Sequence, residues 1–94
     1  MNSRDEILEQ AIEHFGVDHQ IGMAIEEMAE LIQALSKFKR YGPSAIPRVI
    51  EELANARIML NQLKKIFDKY PHDLEAAELG KLYRLKMMIT NKTI

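Results

Sequence analysis

An all-α fold is predicted: a small helical bundle dominated by one long antiparallel helix hairpin and completed by oligomerisation. Three observations predict it. Apolar residues recur at helical spacing through nearly all of the 94 residues. Glycine and proline fall at junctions, Gly16, Gly42-Pro43 and Pro71, with Gly80 the exception. No stretch alternates with the period of two that a half-buried strand needs.

The elements follow in order. Ser3 and Glu6 have capping-box spacing, and Ile7, Leu8, Ala11, Ile12 and Phe15 continue at helical period until Gly16. Asp18 is placed to cap a second helix, whose stripe is Ile21, Ala24, Ile25, Met28, Leu31, Ile32, Leu35 and Phe38. Lys37, Lys39 and Arg40 suit the negative end of its dipole, and Gly42-Pro43 stops it. A third helix starts near Ser44 with Pro47 in its first turn. It carries Ile46, Val49, Ile50, Leu53, Ala56, Leu60, Leu63 and Phe67 to Pro71. Asp73 caps a fourth through Leu74, Leu82, Leu85 and Ile89, interrupted by Gly80, and the tail from Thr90 to Ile94 is expected to fray.

The length sets one domain, residues 1–94. A hydrophobic share of 47% with no Trp gives a core of Leu, Ile, Met and Ala. The net charge of -1 offers no basic stripe, so no nucleic-acid partner is expected. With no cysteine, disulfides and thiolate metal sites are excluded. No apolar run approaches membrane-spanning length and no signal core precedes the first helix, so a cytoplasmic protein with no membrane partner is expected. The apolar stripes of the two long helices are wider than a short helix on either side covers. A homodimer or homotetramer is therefore expected.

One acidic segment occurs twice. Ile25-Glu26-Glu27-Met28-Ala29-Glu30 returns as Ile50-Glu51-Glu52-Leu53-Ala54-Asn55. With Met28 at the centre of the apolar face, Glu27 lies roughly 100° round, Glu30 about 60° further and Glu26 beyond it. Glu52, Asn55 and Glu51 repeat these angles about Leu53. Glu30 and Asn55 stand about equally far from the Gly42-Pro43 turn, so the antiparallel hairpin brings Glu27, Glu30, Glu52 and Asn55 together at the border of the core. Such carboxylates repel unless a divalent cation neutralises them. Oxygen-only ligands select Mg²⁺ or Mn²⁺, and Mg²⁺ is commonly completed by substrate phosphates. The alternative is a pair of solvated acidic faces.

The pattern Glu26-Glu27-x-x-Glu30 with Glu52-x-x-Asn55 resembles the Glu-Glu-x-x-Glu … Glu-x-x-Asp signature of the MazG-like all-α nucleoside triphosphate pyrophosphohydrolases. Phe15-Gly16-x-x-x-Gln20 before it, Leu31-Ile32-Gln33-Ala34-Leu35-x-Lys37 after it, Ile58-Met59-Leu60-x-Gln62-Leu63-Lys64-x-Ile66-Phe67 and Leu82-x-Arg84-Leu85-Lys86 extend the likeness from about Ile7 to Ile89. The resemblance implies Mg²⁺-dependent hydrolysis of a nucleoside triphosphate to a monophosphate and pyrophosphate, in a dimer or tetramer, with housecleaning of the nucleotide pool among the family's roles. It implies Glu27, Glu30, Glu52 and Asn55 as metal ligands, with Glu26 beside them either as an acid supporting the ligands or as the group that orients the attacking water. Asn55 departs from the family's Asp, since an amide oxygen ligates without charge. Arg57, close by, either binds a phosphate or replaces a metal electrostatically. The last reading leaves a catalytically silent module that binds a nucleotide or a protein. Lys37 either reaches a phosphate or is solvated at a helix end. His14, His19 and His72 are expected at surfaces or caps, and the methionines as core filling.

Overall fold

The structure, a computed structural model, describes residues 3–70 and 73–91. Among the described residues four α-helices follow one another: α1 (Arg4–Phe15), α2 (Val17–Tyr41), α3 (Ile46–Phe67) and α4 (Leu74–Asn91). A 3₁₀ turn, Gly42–Ala45, links α2 to α3. No strand occurs among the described residues.

The punctuation acts locally. Ser3 accepts from the Glu6 backbone N–H at 3.2 Å, and Glu6 accepts from the Ser3 N–H at 3.3 Å, closing the capping box on α1. Gly16 has φ 94, and its N–H donates to the Ile12 carbonyl. This left-handed residue lets α2 begin at once, at Val17, so Asp18 lies in the first turn instead of capping it. Its charge still favours the positive helix end. Gly42, at φ 78, closes α2 through the Phe38 carbonyl. Ser44 sits inside the 3₁₀ turn, and α3 starts at Ile46, with Pro47 where a missing N–H costs nothing. α3 ends at Phe67. The expected stop at Pro71 lies outside the described residues, as do His72 and the last three residues of the tail. Asp73 Oδ1 accepts from the Ala76 N–H at 3.2 Å, and α4 runs through Gly80 to Asn91.

α2 and α3 pack along their length as the predicted hairpin. The seam differs from the expected stripes. Gln20, Ala24 and Ala34 of α2 are buried, with Glu27 and Leu31 half-buried between them. Glu52, Ala56, Met59, Gln62 and Ile66 of α3 face them, all buried. Buried positions recur by threes and fours, the spacing of a coiled-coil seam. Small alanines let the two axes approach closely. The bulky neighbours are turned out: Ile25 and Ile32 are each 66% exposed, and Leu35, Ile50, Leu53 and Leu60 are exposed too. Met28 and Leu53, expected at the centre of each packing face, thus stand beside the seam, and the acids enter it.

α1 closes the end of the hairpin far from the turn, burying Leu8. Lys65 reaches Asp5 at 3.3 Å and Glu9 at 3.4 Å. α4 buries none of its residues and packs along no other helix. No helix of the described residues is long and apolar enough to cross a membrane.

Candidate metal centre

Two glutamines set the register. Gln20 Nε2 donates to Gln62 Oε1 at 2.8 Å across the buried seam. Ten residues after Gln20 comes Glu30, and ten residues before Gln62 comes Glu52. In an antiparallel pair these are level. By the same count Asn55 is level with Glu27, so the sequence-based pairing of Glu30 with Asn55 is displaced by about a turn.

Glu27, Glu30 and Glu52 each offer a carboxylate oxygen, and the three lie within 4.8 Å of one another. Glu52 is 3% exposed, Glu27 is half-buried, and Glu30 stands on the solvent side. Glu52 Oε1 is 3.3 Å from Arg48 Nη2, one helical turn earlier. The other Glu52 oxygen and Glu27 Oε2 are buried with no hydrogen-bond partner among the described residues. Buried anionic oxygens without donors are costly, because desolvation is then repaid by nothing. A hard divalent cation fits this donor set in charge and chemistry.

Asn55 and Glu26 are exposed, and Glu26 is not one of the three clustered acids. Glu26 is one turn before Glu30 on the solvent side of α2. Arg57 is exposed, five residues beyond Glu52 and about 140° round α3 from it. Lys37 is better placed. It lines a cavity of about 460 Å³ at the turn end of the hairpin with Gln33, Tyr41, Ser44 and Arg48. Arg48 therefore touches both the acidic cluster and this cavity. The sequence reading missed it. The signal was available, because Arg48 and Glu52 are four apart on one helix, the spacing of an ion pair.

A polar relay continues the seam away from the turn. His19 Nδ1 lies 2.7 Å from Gln20 Oε1, Gln20 donates to Gln62, and Gln62 Nε2 contacts Met59 Sδ at 3.7 Å. Phe15 stacks on His19, and His14 meets Phe15 edge-on. His19, exposed as expected, thus also orients a buried amide.

Compared with protein-family models, curated proteins and solved structures, the chain finds no significant match.

Proposed function

We propose that this chain is an Mg²⁺-dependent nucleoside triphosphate pyrophosphohydrolase of the MazG-like type, with Mn²⁺ as a substitute ion, working as a homo-oligomer. The observation that carries the reading is the pair of buried, donorless carboxylate oxygens on Glu27 and Glu52, brought together from separate helices. The cavity lined by Lys37 and Arg48 supports it, because Arg48 also reaches Glu52 at 3.3 Å.

Glu27, Glu30 and Glu52 would hold the ion, with Asn55 offering a neutral oxygen at its margin. When bound, the ion supplies neutralisation of phosphate charge and Lewis acidity. Lys37 and Arg48 bind the oxygens of the pyrophosphate that leaves, Lys37 as a point charge and Arg48 through its planar fork. Glu26 orients the attacking water and takes its proton. The water oxygen bonds to the α-phosphorus, the bond from that phosphorus to the bridging oxygen breaks, and pyrophosphate carries the electron pair away. The protein's part is positioning and charge placement, as in other phosphoryl chemistry.

The test is direct. Pure protein is incubated with a panel of nucleoside triphosphates and Mg²⁺ or Mn²⁺, and pyrophosphate is followed. Metal-dependent release that disappears in Glu27→Ala is expected. No release from any substrate, with Glu27→Ala behaving as wild type, overturns the proposal.

The Arg48–Glu52 ion pair favours a second reading, because it already places a fixed cation on the acidic cluster. On that reading the chain binds a nucleotide or a protein partner and is catalytically silent. Nucleotide binding without turnover, unchanged by chelation, would distinguish it.

A further inference from the structure

We infer that the groove between the end of α3 and the root of α4 is a binding site for a small arylalkylamine, a molecule with an aromatic body and one protonated nitrogen. The inference does not depend on the nucleotide reading, since Phe67 lies about 22 Å along α3 from Glu52.

The groove holds about 620 Å³, within the range of small-molecule sites. Leu60, Leu63, Phe67, Tyr70, Leu74 and Ala77 make its walls. The Phe67 and Tyr70 rings stand 5.8 Å apart with 36° between their planes. Such a tilted pair offers a third ring both offset-stacked and edge-on contacts, the arrangements aromatic groups prefer. Leu60, Phe67, Tyr70 and Leu74 are all exposed, so one apolar body seated among them removes several large side chains from water at once. Lys64 Nζ lies 2.8 Å from a Glu75 oxygen and ties the root of α4 to α3, which holds the two walls together.

Charge selects the head group. Asp68 is the C-cap of α3, at the negative end of the helix dipole, where an anion is unfavourable and a cation is favourable. Lys64 and Lys65 share that last turn, but both are committed elsewhere. Lys64 pairs with Glu75, and Lys65 pairs with Asp5 and Glu9. Lys69 lies over the Tyr70 ring, 5.9 Å from its centre. Among the described residues neither Asp68 nor Asp73 has an ion-pair partner, and both line the groove. Asp73 gives one oxygen to the Ala76 N–H, and the positive end of α4 offsets its charge. Asp68 therefore carries most of the selection. A protonated amine at the mouth answers Asp68 and the helix end together, whereas a carboxylate meets both as like charge.

Three probes of one shape test this on the full chain: phenylbutylamine, phenylbutanol and phenylbutyrate, titrated by NMR. The methyl signals of Leu60, Leu63, Leu74 and Ala77 should shift with the amine. The amine should bind at least about 10-fold more tightly than the carboxylate, the usual margin of one charge-assisted contact, with the alcohol between them. Asp68→Asn should bring amine and alcohol to the same affinity and leave the alcohol unchanged. Asn is well tolerated at a helix C-terminus, so the fold should keep its helical circular dichroism. Ala77→Met should fill the groove and abolish binding of all three, and methionine is a good helix former at that position of α4. A carboxylate that binds as well as the amine overturns the inference. So does an amine that shifts nothing at millimolar concentration, or one whose binding is indifferent to Ala77→Met. Sedimentation covers the remaining occupant. If no probe binds and Ala77→Met changes the mass of the assembly, the groove belongs to a contact between copies and the inference fails.

Discussion

Replacing Glu52 by Gln should make the protein more stable without metal and less responsive to it. Glu27 and Glu52 present carboxylate oxygens within 4.8 Å of each other. At an effective dielectric of about 20 that separation corresponds to about 3.5 kcal/mol of repulsion. Glu30 is left out, because water screens it. The substitution also weakens the Arg48 contact at 3.3 Å. Arg48 is 57% exposed, so its loss is discounted to at most about 1 kcal/mol. The net expectation is a gain of about 2 kcal/mol for Glu52→Gln in EDTA, or about 10 °C in Tm for a domain of this size. Saturation reverses the balance. An ion at 100 times its Kd adds about 2.7 kcal/mol to wild type. The variant, short of one charged ligand, should forfeit most of that gain, so the two Tm values converge. Thermal melts followed at 222 nm, in EDTA and in excess Mn²⁺ at one protein concentration, measure both arms. A variant that melts below wild type in EDTA, or a gap untouched by Mn²⁺, would falsify the reasoning.

Four further outcomes are expected. Arg48→Ala should raise KM for a triphosphate about 10-fold or more while leaving Mn²⁺ binding intact, as separate metal titrations and kinetics would reveal; loss of metal binding would assign Arg48 to the ion instead. Asn55→Asp should tighten Mn²⁺ binding about 10-fold by adding a charge at the margin of the cluster, and isothermal titration decides it. Gln62→Leu should cost about 1–3 kcal/mol in denaturant unfolding, because it strands the buried Gln20 amide. Glu75, hydrogen-bonded to Lys64, has its pKa lowered, and the same bond raises that of Lys64. The tie at the root of α4 is therefore full above the unfolded Glu value of about 4.3 and is lost as pH falls through the lower folded value. A titration of the Glu75 carboxyl by NMR should show that depressed midpoint, and Lys64→Met should reduce the depression, leaving the part due to the Glu75 backbone N–H.

Much of the fold could be read from short-range chemistry. The Ser3–Glu6 box, Gly16, the Gly42-Pro43 stop and the Asp73 cap each act through neighbours within a turn, so sequence spacing suffices to place them. The seam could not be read that way. α2 is apolar over so wide an arc that two adjacent stripes, Ala24–Leu31–Ala34 and Ile25–Ile32–Leu35, compete for the intrachain contact. Periodicity weighs them alike. What separates them is size. The stripe holding Ala24 and Ala34 faces the stripe holding Ala56, and close-packed helices select small residues there. The glutamines were a second missed signal, since Gln20 and Gln62 pair across the turn and correct the level of Asn55.

That error in the seam bears on chemistry. Had Met28 and Leu53 met across the hairpin, the acids would sit at its rim, solvated and able to separate. The structure instead draws Glu27 and Glu52 into the close-packed line between Ala24, Ala34 and Ala56. Apolar side chains at those two positions would have given a continuous dry seam and no desolvated charge. The chain has such side chains in surplus, exposed two positions before Glu27 at Ile25 and next to Glu52 at Leu53. A fold selected for stability alone would turn them inward. Keeping two carboxylates there is costly to the isolated chain, a cost that the proposed cation would offset. The same exchange leaves the bulky residues outside. The buried carboxylates and the exposed apolar face are thus two consequences of one rotation of the helices, and Glu52→Gln probes the first of them.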